Sequence, residues 1–106
     1  MSLTSAFTPQ GQTVLITAAV SPPAPVQVTS NSNYRIINAG TVLAFLGVGS
    51  TAAIATANAA VVTTSGPAIC LLPGTDEILT FTPNGYFTAA TASSTAAIYI
   101  VGGEGL

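Results

Sequence analysis

The 106-residue chain lacks the residues on which most enzymatic and ion-binding chemistry depends. It has no His and one Cys, Cys70, and Arg35 is its only Arg or Lys. Without His, the commonest general base and metal ligand is missing. A single Cys excludes an internal disulfide and any cysteine-rich metal site. We therefore expect no catalytic residue, no metal site and no cofactor, and we expect that the protein is not an enzyme.

Charged residues of both signs are scarce. Asp and Glu together number three, the formal net charge is −2, and charged residues make up 4% of the chain, against about 25% in an average soluble domain. No basic patch is available for the phosphates of nucleic acid or for anionic lipid. So few charges favour a chain whose surface is largely covered by neighbouring copies. The alternative is a monomer whose surface is solvated through Thr, Ser and Asn.

Long apolar runs are absent too, although 49% of the residues are hydrophobic. A membrane-spanning helix needs about 20 mostly apolar residues in a row. Gly, Pro, Thr and Asn interrupt the apolar runs of this chain. We therefore expect no membrane partner.

Short strand-like runs make up most of what the chain does contain. β-branched and aromatic residues dominate these runs, and turn signals such as "PNG" at 83–85 recur at intervals of about eight to twelve residues. The pattern predicts an all-β sandwich or barrel, and of these we expect a two-sheet antiparallel sandwich of about eight strands. We assign residues 11–106 to one β-sandwich domain and residues 1–10 to an N-terminal arm.

The segment 50–64, "STAAIATANAAVVTT", fits two structures. Its Ala content favours a helix with Ser50 as the N-cap. Its β-branched residues oppose a helix, and no charged residue supplies a soluble helix face. We predict a strand followed by an extended connection.

The last strand-like run, residues 96–101, is apolar on both faces. Side chains alternate between the faces of a strand, so one face carries Ala96, Ile98 and Ile100 and the other carries Ala97, Tyr99 and Val101. A strand that is apolar on both faces packs against something on each. We expect a second sheet on one side and another subunit on the other.

Cys70 and Arg35 lead to two further expectations. Cys70 lies in the apolar run "AICLL", which predicts an inert thiol in the core. If "YRIIN" and "VLAFL" form a hairpin around residues 39–41, Arg35 faces Phe45, where a cation–π contact is possible.

Arg35 is also the only cationic partner available to the three carboxylates, which are Asp76, Glu77 and Glu104. A single cation with one class of partner fixes register or interface geometry more than it adds stability. We therefore predict a structural role for Arg35.

Three stretches of the sequence carry a resemblance: "YRIINAGTVLAFLGVGSTAAIATA", "LLPGTDEILTF" and "YFTAATASSTAAIYIVGGEGL". Their succession of an "R-I-x-N-x-G" strand, an "L-P-G-x-x-E" turn and a closing "I-Y-I" before "G-x-G" resembles small tailed-phage head proteins of the capsid decoration, or cement, type. The resemblance covers Asn33 to Leu106. It implies a jelly-roll-like module that is made in the host cytoplasm and stabilises the outer capsid surface of the virion.

The partners expected from this resemblance are the major capsid protein and further copies of the chain. The copies are expected to form a homo-oligomer, a trimer matched to three-fold positions of the capsid. Leu3 and Phe7 are the apolar residues of the arm that we expect to contact the capsid. Two alternatives stay open: another structural virion component, such as a tail or head–tail adaptor protein, and a glycan-binding β-sandwich module.

Overall fold

The computed structural model describes residues 7–30 and 32–104. The elements in chain order are β1 (Thr8–Ala18), β2 (Val26–Gln27), β3 (Asn33–Asn38), β4 (Ala44–Gly49), α1 (Ala52–Asn58), β5 (Ile69–Leu71), β6 (Asp76–Thr80), β7 (Tyr86–Thr91) and β8 (Ala96–Glu104). Eight strands and one short helix in the described residues confirm the predicted all-β class.

The strands form two antiparallel four-stranded sheets, which confirms the predicted sandwich. The first sheet has the strand order β1-β8-β3-β6, and the second sheet has the order β2-β7-β4-β5. The pairs β1–β8, β2–β7, β3–β6 and β4–β5 are nested one inside the next along the chain. A long antiparallel ribbon that wraps around a core produces this nesting, and the result is the jelly-roll order.

Alternate residues of the strands fill the space between the sheets. The largest side chains that are fully buried there are Tyr34, Ile36, Leu46, Leu71, Phe87, Ile98 and Ile100. The Tyr34 and Phe87 rings are 4.7 Å apart between centroids and tilted by 60°. The Tyr34 hydroxyl donates a hydrogen bond to Thr82 O at 2.5 Å and accepts one from Gly85 N at 2.8 Å. The largest core residue thus keeps its polar end paired.

The strand-plus-connection prediction for residues 50–64 is wrong at its start, because α1 occupies Ala52–Asn58. Thr51, rather than Ser50, is the N-cap, and its Oγ1 accepts a hydrogen bond from Ile54 N at 3.3 Å. The helix does not need a charged face, because one side of it packs on β4. A Cβ at Gly47 would collide with the backbone of Ala55 and Ala59, so the glycine permits this close approach.

The predicted hairpin between residues 33–38 and 42–46 is also wrong, because β3 and β4 belong to different sheets. Arg35 does not face Phe45: it lies opposite Val101 on β8 and Ile78 on β6. Asn38 is the last residue of β3, where the chain leaves the first sheet for the second. Its Nδ2 donates to Val42 O at 3.1 Å and to Leu71 O at 2.8 Å, and its Oδ1 accepts from Gly40 N at 2.9 Å.

Two further expectations need correction. Cys70 is exposed on β5, not buried, because alternation along this short edge strand turns the neighbouring Leu71 into the core instead. β1 begins at Thr8, and Thr8–Gln10 pair with Gly102–Glu104 of β8. The last three residues of the predicted arm therefore belong to the sandwich.

Candidate interaction surface

The outer face of the second sheet is covered by the chain itself. α1 packs on β4, where a Cβ at Gly49 would lie 2.5 Å from Ala55 N. The connection between β1 and β2 runs beside β7, where Thr88 Oγ1 donates to Pro23 O at 2.7 Å. Outward-facing residues on the two central strands of this sheet are consequently buried: Phe45 is 4% exposed and Thr88 is 0% exposed.

Large apolar side chains also reach solvent on the outer face of the first sheet, while the exposed Val20, Ile54, Val61, Ile69 and Leu72 lie elsewhere. We define the outer apolar face by residues that alternate with the core positions of their strands: Leu15, Ile37, Ile78, Tyr99 and Val101. Leu15 is 52% exposed and Tyr99 is 37% exposed. An apolar patch left open on a sandwich is typical of an interaction site.

Strand register arranges this face in two rows. One row crosses all four strands and consists of Leu15, Tyr99, Ile37 and Asp76. The second row crosses three strands and consists of Val101, Arg35 and Ile78. At one end of the sheet Thr80 Oγ1 donates to Asn33 Oδ1 at 3.0 Å, so the face has a polar border there.

Arg35 and Asp76 form a bidentate ion pair on this face. Arg35 Nε donates to Asp76 Oδ1 at 2.9 Å, and one terminal guanidinium nitrogen donates to Oδ2 at 2.6 Å. These hydrogen bonds are the main reason why the pKa of Asp76 lies below its ordinary value and the pKa of Arg35 lies above its own. The two side chains are 44% and 45% exposed, and exposed pairs add little stability. The pair's main effect is to place opposite charges side by side on an apolar face.

The other two carboxylates predicted as partners of Arg35 lie elsewhere. Glu77 is opposite Ile36 in the β3–β6 register, so it alternates with Asp76 and leaves the outer face. Glu104 lies at the end of β8, opposite Thr8 of β1. Of the three candidates, the structure brings only Asp76 to Arg35.

Two hollows lie near the edges of the sheets. A cavity of about 60 Å³ between the β5 and β6 edges is lined by Ile36, Ile69, Leu71, Glu77, Ile78 and Leu79. A shallower hollow of about 300 Å³ lies at the β1 bulge and is lined by Gly11, Gln12, Val14, Gln27 and Thr29. Neither hollow brings two titratable side chains together.

The described residues hold neither a metal-binding cluster nor a membrane-spanning helix. They contain no cluster of three or more His, Cys, Asp and Glu side chains that could hold a metal ion. They also contain no helix with the length and hydropathy needed to cross a membrane. Chemistry-bearing groups are thus not gathered anywhere in this part of the chain, and the outer apolar face is the candidate site.

The arm residues predicted to contact the capsid fall in different places. Phe7 is half-buried and lies on its own sandwich, because a Cβ at Gly103 would be 2.5 Å from Phe7 Cζ. Leu3 lies outside the described residues. Phe7 therefore contacts β8 of its own sandwich, and a capsid contact by Leu3 or Phe7 stays a prediction.

Leu15, Ile37 and Ile78 are site residues that the sequence interpretation did not single out. Alternation within each strand assigns Leu15 and Ile37 to one face of their own strands. It does not say which face turns away from the core, or that β1, β8, β3 and β6 are neighbours. Only the register across the sheet joins these residues to Tyr99 and Val101.

Comparison of the chain with protein-family models, with curated proteins and with solved structures finds no match. A function for this chain therefore has to be argued from its own residues. The observations that bear on it are the low charge, the jelly-roll order and the outer apolar face.

Proposed function

We propose that the protein is a structural virion component that decorates and stabilises the outer surface of a tailed-phage capsid as a homo-oligomer. The observation that carries this proposal is the outer apolar face, which is open in a single copy. Leu15 and Tyr99 keep 52% and 37% of their surface exposed on a chain with four charged residues. Such a face favours a protein that is in contact with another protein surface.

A cementing role needs contacts rather than catalysis, and the molecule is suited to it. Each copy can hold its place weakly, because simultaneous contacts to several capsid subunits raise the effective concentration of every further contact. The two sheets pack closely, and the polar groups in the core are hydrogen-bonded, so the module is rigid. A rigid module loses little conformational entropy on docking. The major capsid protein and further copies of the chain are the proposed partners.

The alternatives separate by location and by ligand. A tail or head–tail adaptor protein would use the same face at a different position and copy number in the particle. A glycan-binding module would need an aromatic platform for stacking, and Tyr99 is the one large aromatic side chain among the described residues with more than a third of its surface exposed. Its neighbours in register are the aliphatic Leu15 and Ile37, which favours a protein contact.

Particle occupancy tests the proposal. Leu15→Asp places a charge in the outer apolar face, and Leu72→Asp places the same charge at a residue that is 66% exposed outside it. Heads lacking the protein are incubated with each variant, and the bound copies and the heat resistance of the particles are measured. We expect Leu15→Asp to lose at least about tenfold in occupancy, because a buried unpaired charge is strongly unfavourable at an interface.

Leu72→Asp should decorate and protect heads as the unchanged protein does. Equal occupancy of the two variants would contradict a role for the outer apolar face. If the unchanged protein does not bind heads at all, the decoration proposal itself is wrong.

A further inference from the structure

We infer that the outer apolar face binds a second copy of the chain, face to face and related by a two-fold axis. This inference rests on the face used in the proposed function and names its partner. The structural elements that carry it are the two side-chain rows and the Arg35–Asp76 ion pair between them.

Charge selects the occupant. The face carries one cation and one anion, Arg35 and Asp76, and both are about half exposed. Arg35 and Asp76 neutralise each other, but their pairing engages only two of the five guanidinium N–H donors. A partner that covers the pair must therefore supply acceptors for the other donors and donors for the carboxylate. An acidic or basic surface does not meet this condition. A second copy of the same face does meet it, because it carries both Arg35 and Asp76.

The geometry places the charges where two copies can share them. If the two-fold axis runs across the strands between the two rows, each strand lies over its own copy, so Tyr99 lies over Val101 of the second copy and Ile37 lies over its Arg35. The ion pair joins the two rows diagonally, so the pairs of both copies meet near the axis. Two cations and two anions then form one network inside an apolar contact. Such an isologous contact is self-complementary.

The area is sufficient for a specific but weak dimer. With strands about 4.8 Å apart and about 3.3 Å per residue, four strands present a face of roughly 20 by 25 Å, on the order of 500 Å² per copy. Two copies would bury about 1,000 Å² in total, which is the lower bound for specific interfaces. We therefore expect dissociation constants on the order of micromolar.

Isologous pairing produces an even number of copies, and this differs from the trimer expected from the sequence. A dimer that fails to bind heads would leave this inference standing and contradict the decoration proposal. A chain that decorates heads but is monomeric or trimeric in solution would overturn this inference alone. The two claims therefore fail separately.

A charge exchange between copies tests the pairing. In a Cys70→Ser background, which removes the exposed thiol, Arg35→Asp brings four anions together in a homodimer and Asp76→Arg brings four cations together. Sedimentation equilibrium should show each variant alone dissociating at least about tenfold more readily than the parent. An equimolar mixture restores two cations and two anions, so heterodimers should form with close to the parent affinity.

Two controls exclude a folding defect. The double variant Arg35→Asp/Asp76→Arg keeps two charges of each sign in the homodimer and should associate like the parent. Leu72→Asp should associate like the parent, and Leu15→Asp should not, with melting temperatures measured for all of them. The inference is overturned if the single variants associate like the parent, if the mixture stays monomeric, or if the parent protein is a monomer or a trimer at concentrations up to about 100 μM.

Discussion

Asn38 is a buried amide whose hydrogen bonds all go to backbone groups, and one of them reaches across to the second sheet. It is 0% exposed, and it bonds Gly40 N, Val42 O and Leu71 O. Asn38→Ala removes the partner of one buried group, Leu71 O, and of two partly buried groups. A buried group left unsatisfied costs about 1–3 kcal/mol, and a partly buried one costs less. We expect a total loss of about 3 kcal/mol in the free energy of unfolding, measured by urea denaturation.

Asn58→Ala is the matched control, because the Asn58 amide makes one bond, to Val48 O at 2.9 Å, in a partly buried position. Its loss should be about 1 kcal/mol. If Asn38→Ala destabilises no more than Asn58→Ala, the chain's passage between the sheets does not depend on this amide.

The Arg35–Asp76 pair predicts a modest acid sensitivity. The pKa of Asp76 is lowered in the folded state, chiefly by the hydrogen bonds from Arg35. Its contribution to stability is therefore present above the ordinary pKa of 3.8 and is lost as the pH falls through the lower folded value. Asp76→Asn should be slightly less stable than the parent at neutral pH, and the difference should vanish in strong acid.

Thermal melting from neutral pH down to strong acid measures the stability difference between Asp76→Asn and the parent. The protein concentration is kept low enough that the protein is monomeric. Glu77→Gln removes the adjacent carboxylate, which does not contact Arg35, and serves as the control. A gap between Asp76→Asn and the parent that persists in strong acid would show that the ion pair is not its cause.

Single residues were the part of this molecule least accessible from the sequence. The chemistry of Arg35 limited its partners to three carboxylates, but the choice of Asp76 depends on β3 pairing with β6, 41 residues further along the chain. Cys70 was misplaced because "AICLL" is apolar on both sides. Which of two adjacent residues turns inward on a three-residue edge strand follows from its neighbours, not from its own composition.

At the scale of elements, α1 depends on two glycines of β4. The Cβ that Gly47→Ala adds would collide with Ala55 O, so the helix has to move away from the sheet. Overpacking of this kind typically lowers stability by about 1–3 kcal/mol. We expect Gly47→Ala to melt earlier and to be cleaved faster by protease within residues 50–66.

Gly66→Ala is the control for this change, because its added Cβ would meet only the Val62 side chain at 3.3 Å. Its melting temperature and its cleavage rate should stay close to those of the parent. If Gly47→Ala behaves in the same way, the close approach of α1 to β4 is not needed for its stability.

Strands were more predictable than the helix for a physical reason. β-branched and aromatic runs separated by turn residues indicate strands wherever they occur, and this pattern accounts for the eight strands. In residues 52–58 the Ala preference for helix and the β-branched residues oppose each other, and the tertiary contact with Gly47 and Gly49 decides between them. The spacing "GVG" shortly before the Ala-rich stretch is a sequence signal for this packing that the prediction did not use.

For the whole molecule, the two outer faces of the sandwich differ in how much of their surface the chain itself covers. The second sheet is covered by α1 and by the β1–β2 connection, whereas the first sheet leaves Leu15 and Tyr99 open. The prediction that the last strand packs on both faces is confirmed for its inner face, because Ile98 and Ile100 are in the core. The partner on its outer side is the subject of both proposals.

A cryo-EM reconstruction of phage particles to which the protein has been added tests the central claim most directly. We expect density for the jelly roll on the outer surface of the head, with the Leu15 and Tyr99 face covered by a second copy. Density confined to the tail or the neck, or a head-bound copy whose outer apolar face is open to solvent, would contradict this account.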